Sequence, residues 1–255
     1  MPAAQIFRSM EKEISKTQID RLGEHLKKDS STEADLRLLE QYRQSFDNAY
    51  EIVRKAIREQ LSLETTGRRK TTQSIVDKLR RESIRLTQIQ DIAGCRLLVE
   101  DITNQNEVVT SLCNLFEDVI IVDRREKPSH GYRAVHVIVR YREKFTEIQV
   151  RTVLQHLWAE LSEKYSDVVD QAIKYGGGNE EIQEYLKLAT TVITRQESFE
   201  LELITMKQSL QSMENDQRFI AKITNLEEAL LSDRQILFKT LDSSINHVRN
   251  LKRRL

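Results

Sequence analysis

RAVHVIVRYR (133–142) and FTEIQVRT (145–152) are two strand-like runs separated by only Glu143-Lys144. Read as an antiparallel hairpin closed by that two-residue loop, they set Arg142 opposite Phe145 and pair every residue behind them, although Glu-Lys is not a favoured turn pair. One face is then Val135, Val137, Val139 and Tyr141 against Thr152, Val150, Ile148 and Thr146, apolar along its middle and able to seal a core. The other face carries His136, Ile138, Arg140 and Arg142 against Arg151, Gln149, Glu147 and Phe145. Slipping the register by one residue mixes the two sets, so the division into faces is well specified. A sheet face presenting a carboxylate, an amide, an imidazole and several guanidiniums needs water or a ligand, and it reads as the floor of an anionic-ligand site.

Working outward, the segment Asp91 to Glu100 (DIAGCRLLVE) is an apolar strand candidate led in by an aspartate and carrying Arg96 inside the run. An unpaired guanidinium costs several kcal/mol to bury, so Arg96 is expected to meet an anion or to reach the open face of the sheet. Asn104 to Phe116 has a helical period with Val108, Val109, Leu112, Leu115 and Phe116 inward, and Val119 to Val122 is a second short strand. The polar loop DRREKPSHGY (123–132) delivers Tyr132 directly before the hairpin. Strand, helix, strand, loop and hairpin make a mixed sheet of four or five strands with helices on its sealed face, an α+β fold.

Upstream, Arg68 to Arg85 is basic: Arg68, Arg69, Lys70, Lys78, Arg80, Arg81 and Arg85 stand against only Asp77 and Glu82. By composition alone this is a solvated helix face, with Ser74, Ile75 and Leu79 beginning a helix of narrow apolar side after Gly67. Before it, Ile14, Ile19 and Leu22 fit a short amphipathic helix, Asp29-Ser30-Ser31-Thr32 breaks it and offers N-caps, and Leu36, Leu39, Tyr42, Phe46, Tyr50, Val53 and Ile57 trace one buried stripe. Downstream, Tyr175-Gly-Gly-Gly178 reads as a hinge or helix stop. One long amphipathic helix follows on Ile182, Leu186, Ala189, Ile193, Phe199, Leu203, Met206, Leu210 and Met213. Asn215-Asp216 breaks it, and a second runs on Phe219, Ile223, Leu226, Leu230, Leu237, Leu241, Ile245, Val248 and Leu251. Such a pair packs back on the core or mediates self-association. The expected division is an N-terminal helical segment (1–64), a core (65–175) and a C-terminal helical hairpin (176–255).

The chain of 255 residues holds 40 Lys+Arg and 40 Asp+Glu, so zero net charge gives no global reason to expect nucleic acid or a membrane surface, and anion specificity must be local. Only two prolines and seven glycines fit a chain dominated by long helices. No apolar run approaches the ~18 residues of a membrane span and no signal-type segment follows Met1, which predicts a cytoplasmic protein. Cys95 and Cys113 read as reduced, buried thiols.

Four motifs now stand in order: Gly67-Arg68-x-Lys70-x3-Ser74-Ile75-x2-Lys78-Leu79, Asp91-Ile-Ala-Gly-x-Arg96, Gly131-Tyr132-Arg-Ala-x-His136 and Glu147-Ile-Gln149-Val-Arg151-Thr152. Together they resemble the synthetase domain of the RelA/SpoT-type alarmone synthetases, over Gly67 to Lys164. The resemblance implies a nucleotidyltransferase-like mixed sheet flanked by helices, and Mg²⁺-dependent transfer of pyrophosphate from ATP to the ribose 3′-hydroxyl of GTP or GDP. On the matching positions it implies that Arg68, Lys70, Ser74, Lys78 and Arg96 serve ATP. Asp91 and Glu147 would hold Mg²⁺, with Glu147 also activating the hydroxyl, and Tyr132, His136, Gln149, Arg151 and His156 would serve the acceptor nucleotide. The chemistry is consistent: charge on phosphoryl oxygens is neutralised by guanidinium, ammonium and Mg²⁺, and Mg²⁺ usually takes one or two carboxylates beside the phosphates.

Taken singly, these residues have plainer readings. Glu147 reads as a cross-strand salt bridge to Arg140, Asp91 as an N-cap or a turn leading into a strand, Tyr132 as half-buried packing, and His136 as a satisfied sheet histidine. The sequence also departs from the family: the loop before Gly131 reads DRREKPSH where many members carry a Lys-Asp-Tyr-Ile type sequence, and Glu163 stands where many have His before Lys164. No His-Asp pair of the hydrolase kind occurs among His25, His130, His136, His156 and His247. Two alternatives therefore stay open at the level of sequence. One is a toxic relative that pyrophosphorylates the tRNA 3′ end or makes adenosine alarmones; the other is a catalytically silent nucleotide-sensing module.

Overall fold

In a computed structural model that describes residues 14–210 and 217–252, five strands form one mixed sheet. They are β1 (Thr66–Arg69), β2 (Ala93–Val99), β3 (Val119–Asp123), β4 (Val135–Tyr141) and β5 (Lys144–Thr152), laid side by side in the order β1-β2-β5-β4-β3. Only the central pair β2 and β5 is parallel. The described helices are α1 (Lys16–Lys27), α2 (Glu33–Gln44), α3 (Asp47–Leu61), α4 (Thr72–Glu82), α5 (Ile102–Leu115), α6 (Val153–Val168), α7 (Glu180–Leu210) and α8 (Gln217–Lys252). The α+β class with a mixed sheet and helical extensions at both ends is therefore the observed architecture. No helix among the described residues is long and apolar enough to cross a membrane.

The two faces of the sheet follow the alternation of the sequence. Cys95, Leu97, Val137, Ile148 and Val150, at most 2% exposed, point into one core with residues of α1 to α5. Each such side chain contributes about 1.5–3 kcal/mol relative to leaving it in water. Burial also pushes the Cys95 thiol up to about 12, so it is an inert packing group, and both cysteines are free. A second core joins α6, α7 and α8 around Trp158, Leu161, Ile193, Leu241 and Val248.

Several local expectations are corrected. The hairpin turns on Arg142-Glu143, not Glu143-Lys144: both residues take positive φ (45° and 65°), and Tyr141 pairs with Lys144 and Arg140 with Phe145. Positive φ at both central residues is what a two-residue hairpin turn with the right twist demands, even from residues that adopt it reluctantly. The register thus moves by two, which changes every partner and leaves both faces intact. The shift places Lys144 over the rings of Tyr42 and Phe46, 5.2 Å and 4.6 Å from their centroids.

The stripe from Leu36 to Ile57 is two helices, because Ser45 Oγ donates to the Tyr42 carbonyl (2.6 Å) and closes α2. Phe46 then starts α3, edge-on to Tyr42 at 5.2 Å, and Leu36 is left exposed. Thr32 caps α2 through a reciprocal pair with Asp35, as the cluster before it suggested. The fifth strand, β1, lies where the sequence was read only as a break followed by a basic helix. On the long C-terminal helices Phe199, Met206, Phe219, Leu226 and Leu251 are exposed although they fit the apolar stripe, since only part of each helix has a neighbour to bury against. Met213 and the break at Asn215-Asp216 lie outside the described residues.

Candidate active site

The open face of the sheet collects the chemistry. Parallel pairing sets Gly94 beside Glu147, Arg96 beside Gln149 and Leu98 beside Arg151, while β4 adds Ile138 opposite Glu147 and His136 opposite Gln149. Gly94 is required at its position, because a Cβ there would stand 2.8 Å from the Glu147 carbonyl oxygen and 3.5 Å from its Cβ. Without it the floor beside the Glu147 side chain stays open.

Five of these side chains close a ring of hydrogen bonds. His136 Nδ1 lies 2.9 Å from Glu147 Oε1, and Gln149 Nε2 donates to Glu147 Oε2 at 2.7 Å. Arg151 donates to Gln149 Oε1 at 2.8 Å and to Tyr132 Oη at 2.9 Å, and Tyr132 Oη lies 2.8 Å from His136 Nε2. One assignment satisfies every contact: Nδ1 carries the His136 proton toward Glu147, and the Tyr132 hydroxyl donates to Nε2 while accepting from Arg151. Glu147, Gln149 and Arg151 are buried, and Arg140, expected across from Glu147, instead pairs with Asp118 at 2.5 Å. The salt-bridge partner of Glu147 is therefore His136, a consequence of the two-residue shift in register.

A second cluster lies where the chain enters β2. Lys70 donates to Asp91 Oδ2 at 2.6 Å and Lys78 to Oδ1 at 3.0 Å, from the end of β1 and from α4. Burial, the largest influence, pushes the Asp91 pKa up, and so does the facing Glu147 carboxylate; the two ammoniums outweigh both and hold Asp91 below the usual aspartate value. A group with a depressed native pKa stabilises the fold above its unfolded pKa, and that contribution is lost as pH falls through the native value. Asp91→Asn is therefore expected to lower stability at pH 7 by on the order of 1–3 kcal/mol, by removing the carboxylate that the Lys70 and Lys78 ammoniums share. Thermal unfolding against pH checks this: the gap between wild type and variant shrinks as pH drops below 3.8, and a gap constant down to pH ~2.5 would refute it.

The remaining expected site residues fall at graded distances from these clusters. Arg96 shares the floor, and its charge reaches His156 on α6: burial first, then Arg96 and Arg151, hold the His156 pKa below its ordinary value. His156 Nδ1 is buried with no partner among the described groups, so His156 belongs beside the floor. Tyr132 is half-buried, with the Arg151 guanidinium 4.9 Å from its ring centroid and the His136 ring edge-on at 5.6 Å. Ser74 sits in the first turn of α4 and is bonded to the capping Thr71, which makes it the most peripheral of the set. Arg68 lies in β1 opposite Gly94, and its side chain is outside the described ones.

One buried network was not foreseen. Glu197 on α7 accepts from Arg133 at 2.9 Å, from Gln155 at 2.7 Å and from Thr152 at 3.2 Å; Gln155 also meets Gln105, which meets Arg125. Thr152-x-x-Gln155 is a readable capping box, and the structure shows it closed at the start of α6. Nothing in sequence marked Glu197 as its partner.

Residues 67–171 match the family described as the region found in RelA / SpoT proteins. Over 131 residues the chain is 35% identical to the GTP pyrophosphokinase YjbM of Bacillus subtilis, covering 43% of this chain and 60% of that protein. Over 114 residues it is 38% identical to an uncharacterized protein of Mycobacterium tuberculosis, covering 43% and 42%. The chain thus spans about two to three fifths of the length of these curated relatives. Among solved structures, the small alarmone synthetase 1 of Bacillus subtilis superposes with a TM-score of 0.51 at 26% identity, over 70% of this chain and 100% of that one. The matched residues 67–171 carry both clusters described above, so the likeness to the RelA/SpoT region falls on the part of the chain that holds the candidate site.

Proposed function

We propose that this chain transfers the pyrophosphate of ATP to the ribose 3′-hydroxyl of GTP or GDP. The observation that carries the reading is the convergence on one sheet face of a lysine-flanked aspartate and a glutamate, ringed by imidazole, amide, guanidinium and phenol. The 3′-oxygen forms a bond to the β-phosphorus while the bond from that phosphorus to the bridging oxygen of the α-phosphate breaks. AMP departs, and the hydroxyl proton passes to Glu147. Lys70, Lys78, Arg96 and Arg68 would take the ATP phosphates and base, and Tyr132, His136, Gln149, Arg151 and His156 the acceptor. The match of residues 67–171 to the RelA/SpoT region and the resemblance to a GTP pyrophosphokinase support the reaction class.

Asp91 and Glu147 fit a hard divalent cation. Their donors are carboxylate oxygens, and the two charges face one another closely enough for Glu147 to raise the Asp91 pKa. When bound there, Mg²⁺ supplies neutralisation of phosphate charge. The protein's own cations contribute the rest, with Lys70 and Lys78 moving from Asp91 toward phosphate oxygens.

The same reading divides the chain into an N-terminal helical segment, the synthetase core and a C-terminal hairpin, and places it in the cytoplasm, where its nucleotides are. The exposed apolar residues of α7 and α8, Leu188, Phe199, Leu231 and Phe238 among them, would serve association with a second copy. Incubating the purified chain with ATP labelled in its β-phosphate, Mg²⁺ and, in turn, GTP, GDP, ATP and deacylated tRNA tests the function. Label appearing on GTP or GDP together with AMP supports it. Label only on tRNA or adenosine nucleotides replaces the acceptor, and no transfer to any of them sinks the synthetase reading.

A further inference from the structure

Tyr132 and Arg151, two of the residues on the acceptor side, are each followed in sequence by a residue that a single carboxylate holds. Glu197 Oε2 accepts from Arg133 NH2 at 2.9 Å, and Oε1 accepts from Thr152 Oγ1 at 3.2 Å and Gln155 Nε2 at 2.7 Å. Glu197 is 3% exposed, lies on α7 and stands outside residues 67–171. Two turns earlier on the same helix, Thr190 Oγ1 donates to the Gly131 carbonyl at 3.1 Å, and one turn before that the Leu186 carbonyl accepts from the Trp158 indole at 2.8 Å. Gly131, at φ +89°, is pressed so closely between Thr190 and Trp158 that a Cβ would stand 2.7 Å from each. The tight turn Ser129 to Tyr132, closed by paired backbone bonds of 3.0 Å and 3.3 Å, therefore has its outer side built by α7.

We infer that Glu197 is a positioning residue for the acceptor side of the site, a role that rests on the synthetase reading above. Through Arg133 it fixes the strand that leaves Tyr132, and through Thr152 it fixes the end of the strand that carries Arg151. The two held ends keep the Arg151 guanidinium against the Tyr132 ring and hydroxyl. On the other side of the site Lys70 and Lys78 both donate to Asp91, from the end of β1 and from α4, so the clamp acts on the acceptor and not on ATP.

Glu197→Gln in the full chain isolates the effect. The amide oxygen still accepts from Thr152 and Gln155, while its NH₂ meets the Arg133 guanidinium donor to donor. With GDP as the acceptor probe, the KM for GDP is expected to rise about tenfold, with the KM for ATP and the kcat at saturating GDP within about twofold, as loss of one charge-assisted bond implies. Amide hydrogen exchange at Tyr132 is expected to accelerate about tenfold while that of β2 stays unchanged. Thr190→Val, which keeps shape and removes the bond to Gly131, should move both readouts the same way to a smaller extent, and it carries the test should Glu197→Gln fail to fold. Unchanged exchange at Tyr132, or equal losses toward ATP and GDP, would overturn the inference. Absence of transfer by the wild-type chain to any acceptor would instead overturn the synthetase reading, and the exchange comparison alone would then decide whether Glu197 holds the turn.

Discussion

Glu147→Gln is expected to reduce turnover by about 10³-fold or more while leaving the fold in place, because in the proposed mechanism Glu147 is base and metal ligand together. The side chain is nearly isosteric, and the strand that carries it is held on one side by the parallel ladder with β2 and on the other by β4. Two of the donors that meet it are His136 Nδ1 and Gln149 Nε2. An amide can accept only one of them in place, that from Gln149, and His136 relieves the mismatch by moving its proton to Nε2, where Tyr132 Oη accepts it. Thermal unfolding should accordingly shift by only a few degrees. Steady-state kcat alongside unfolding temperature checks the separation. A variant retaining more than about a tenth of wild-type turnover would show that Glu147 only braces the sheet.

Replacing Tyr132 with alanine should weaken the acceptor by about 1–3 kcal/mol, roughly tenfold to a hundredfold, with ATP affinity nearly unchanged, if its ring is the platform for a purine. Arg151 already lies against one face of that ring, which orients it for a base on the other. The hydroxyl has separate work, since it joins Arg151 to His136 within the polar ring. Tyr132→Phe is thus expected to keep acceptor affinity within about threefold and to show its effect in kcat, because the platform survives and the bond toward His136, and through it Glu147, does not. Titrations with GTP, GDP and deacylated tRNA separate these effects. A uniform loss toward every substrate, with a lower unfolding temperature, would mark Tyr132 as a packing residue.

Much of this was legible because it follows from the period of a strand. Alternation along 133–152 separated the residues facing the core from those facing the site, and that separation survived a two-residue error in register, because a shift of two preserves faces while a shift of one does not. The turn itself was misplaced, since Arg142 and Glu143 carry no glycine or asparagine signal for the positive φ they adopt. The strand β1 was missed for a related reason: four residues beginning Thr-Gly are too few to display alternation, and they become a strand only by pairing with β2. The candidate site residues stand together as a set through their order in the chain. Their hydrogen-bond partners were not legible, because Glu147 with His136 and Asp91 with Lys70 and Lys78 are decided by which rotamers fit on a floor already shaped by Gly94 and Ile138. Glu197 lay furthest from view, an acidic residue on a long polar helix whose burial depends on where that helix docks.

The parallel pairing of β2 with β5 has a kinetic meaning. It is the only parallel pair in the sheet, and it joins Ala93–Val99 to Thr146–Thr152 after the chain has formed α5, β3 and β4 in between. The hairpin of β4 and β5 closes over two residues, whereas this ladder must close a loop of about fifty, at an entropic cost that local contacts cannot offset in advance. Asp91 leads into one of its strands and Glu147 sits on the other, so the two carboxylates meet only when the most non-local strand pairing of the sheet has formed. A nascent or refolding chain that has its helices and its hairpin is still without the pair, so the proposed activity is expected to appear with this closure of the sheet rather than growing in step with secondary structure.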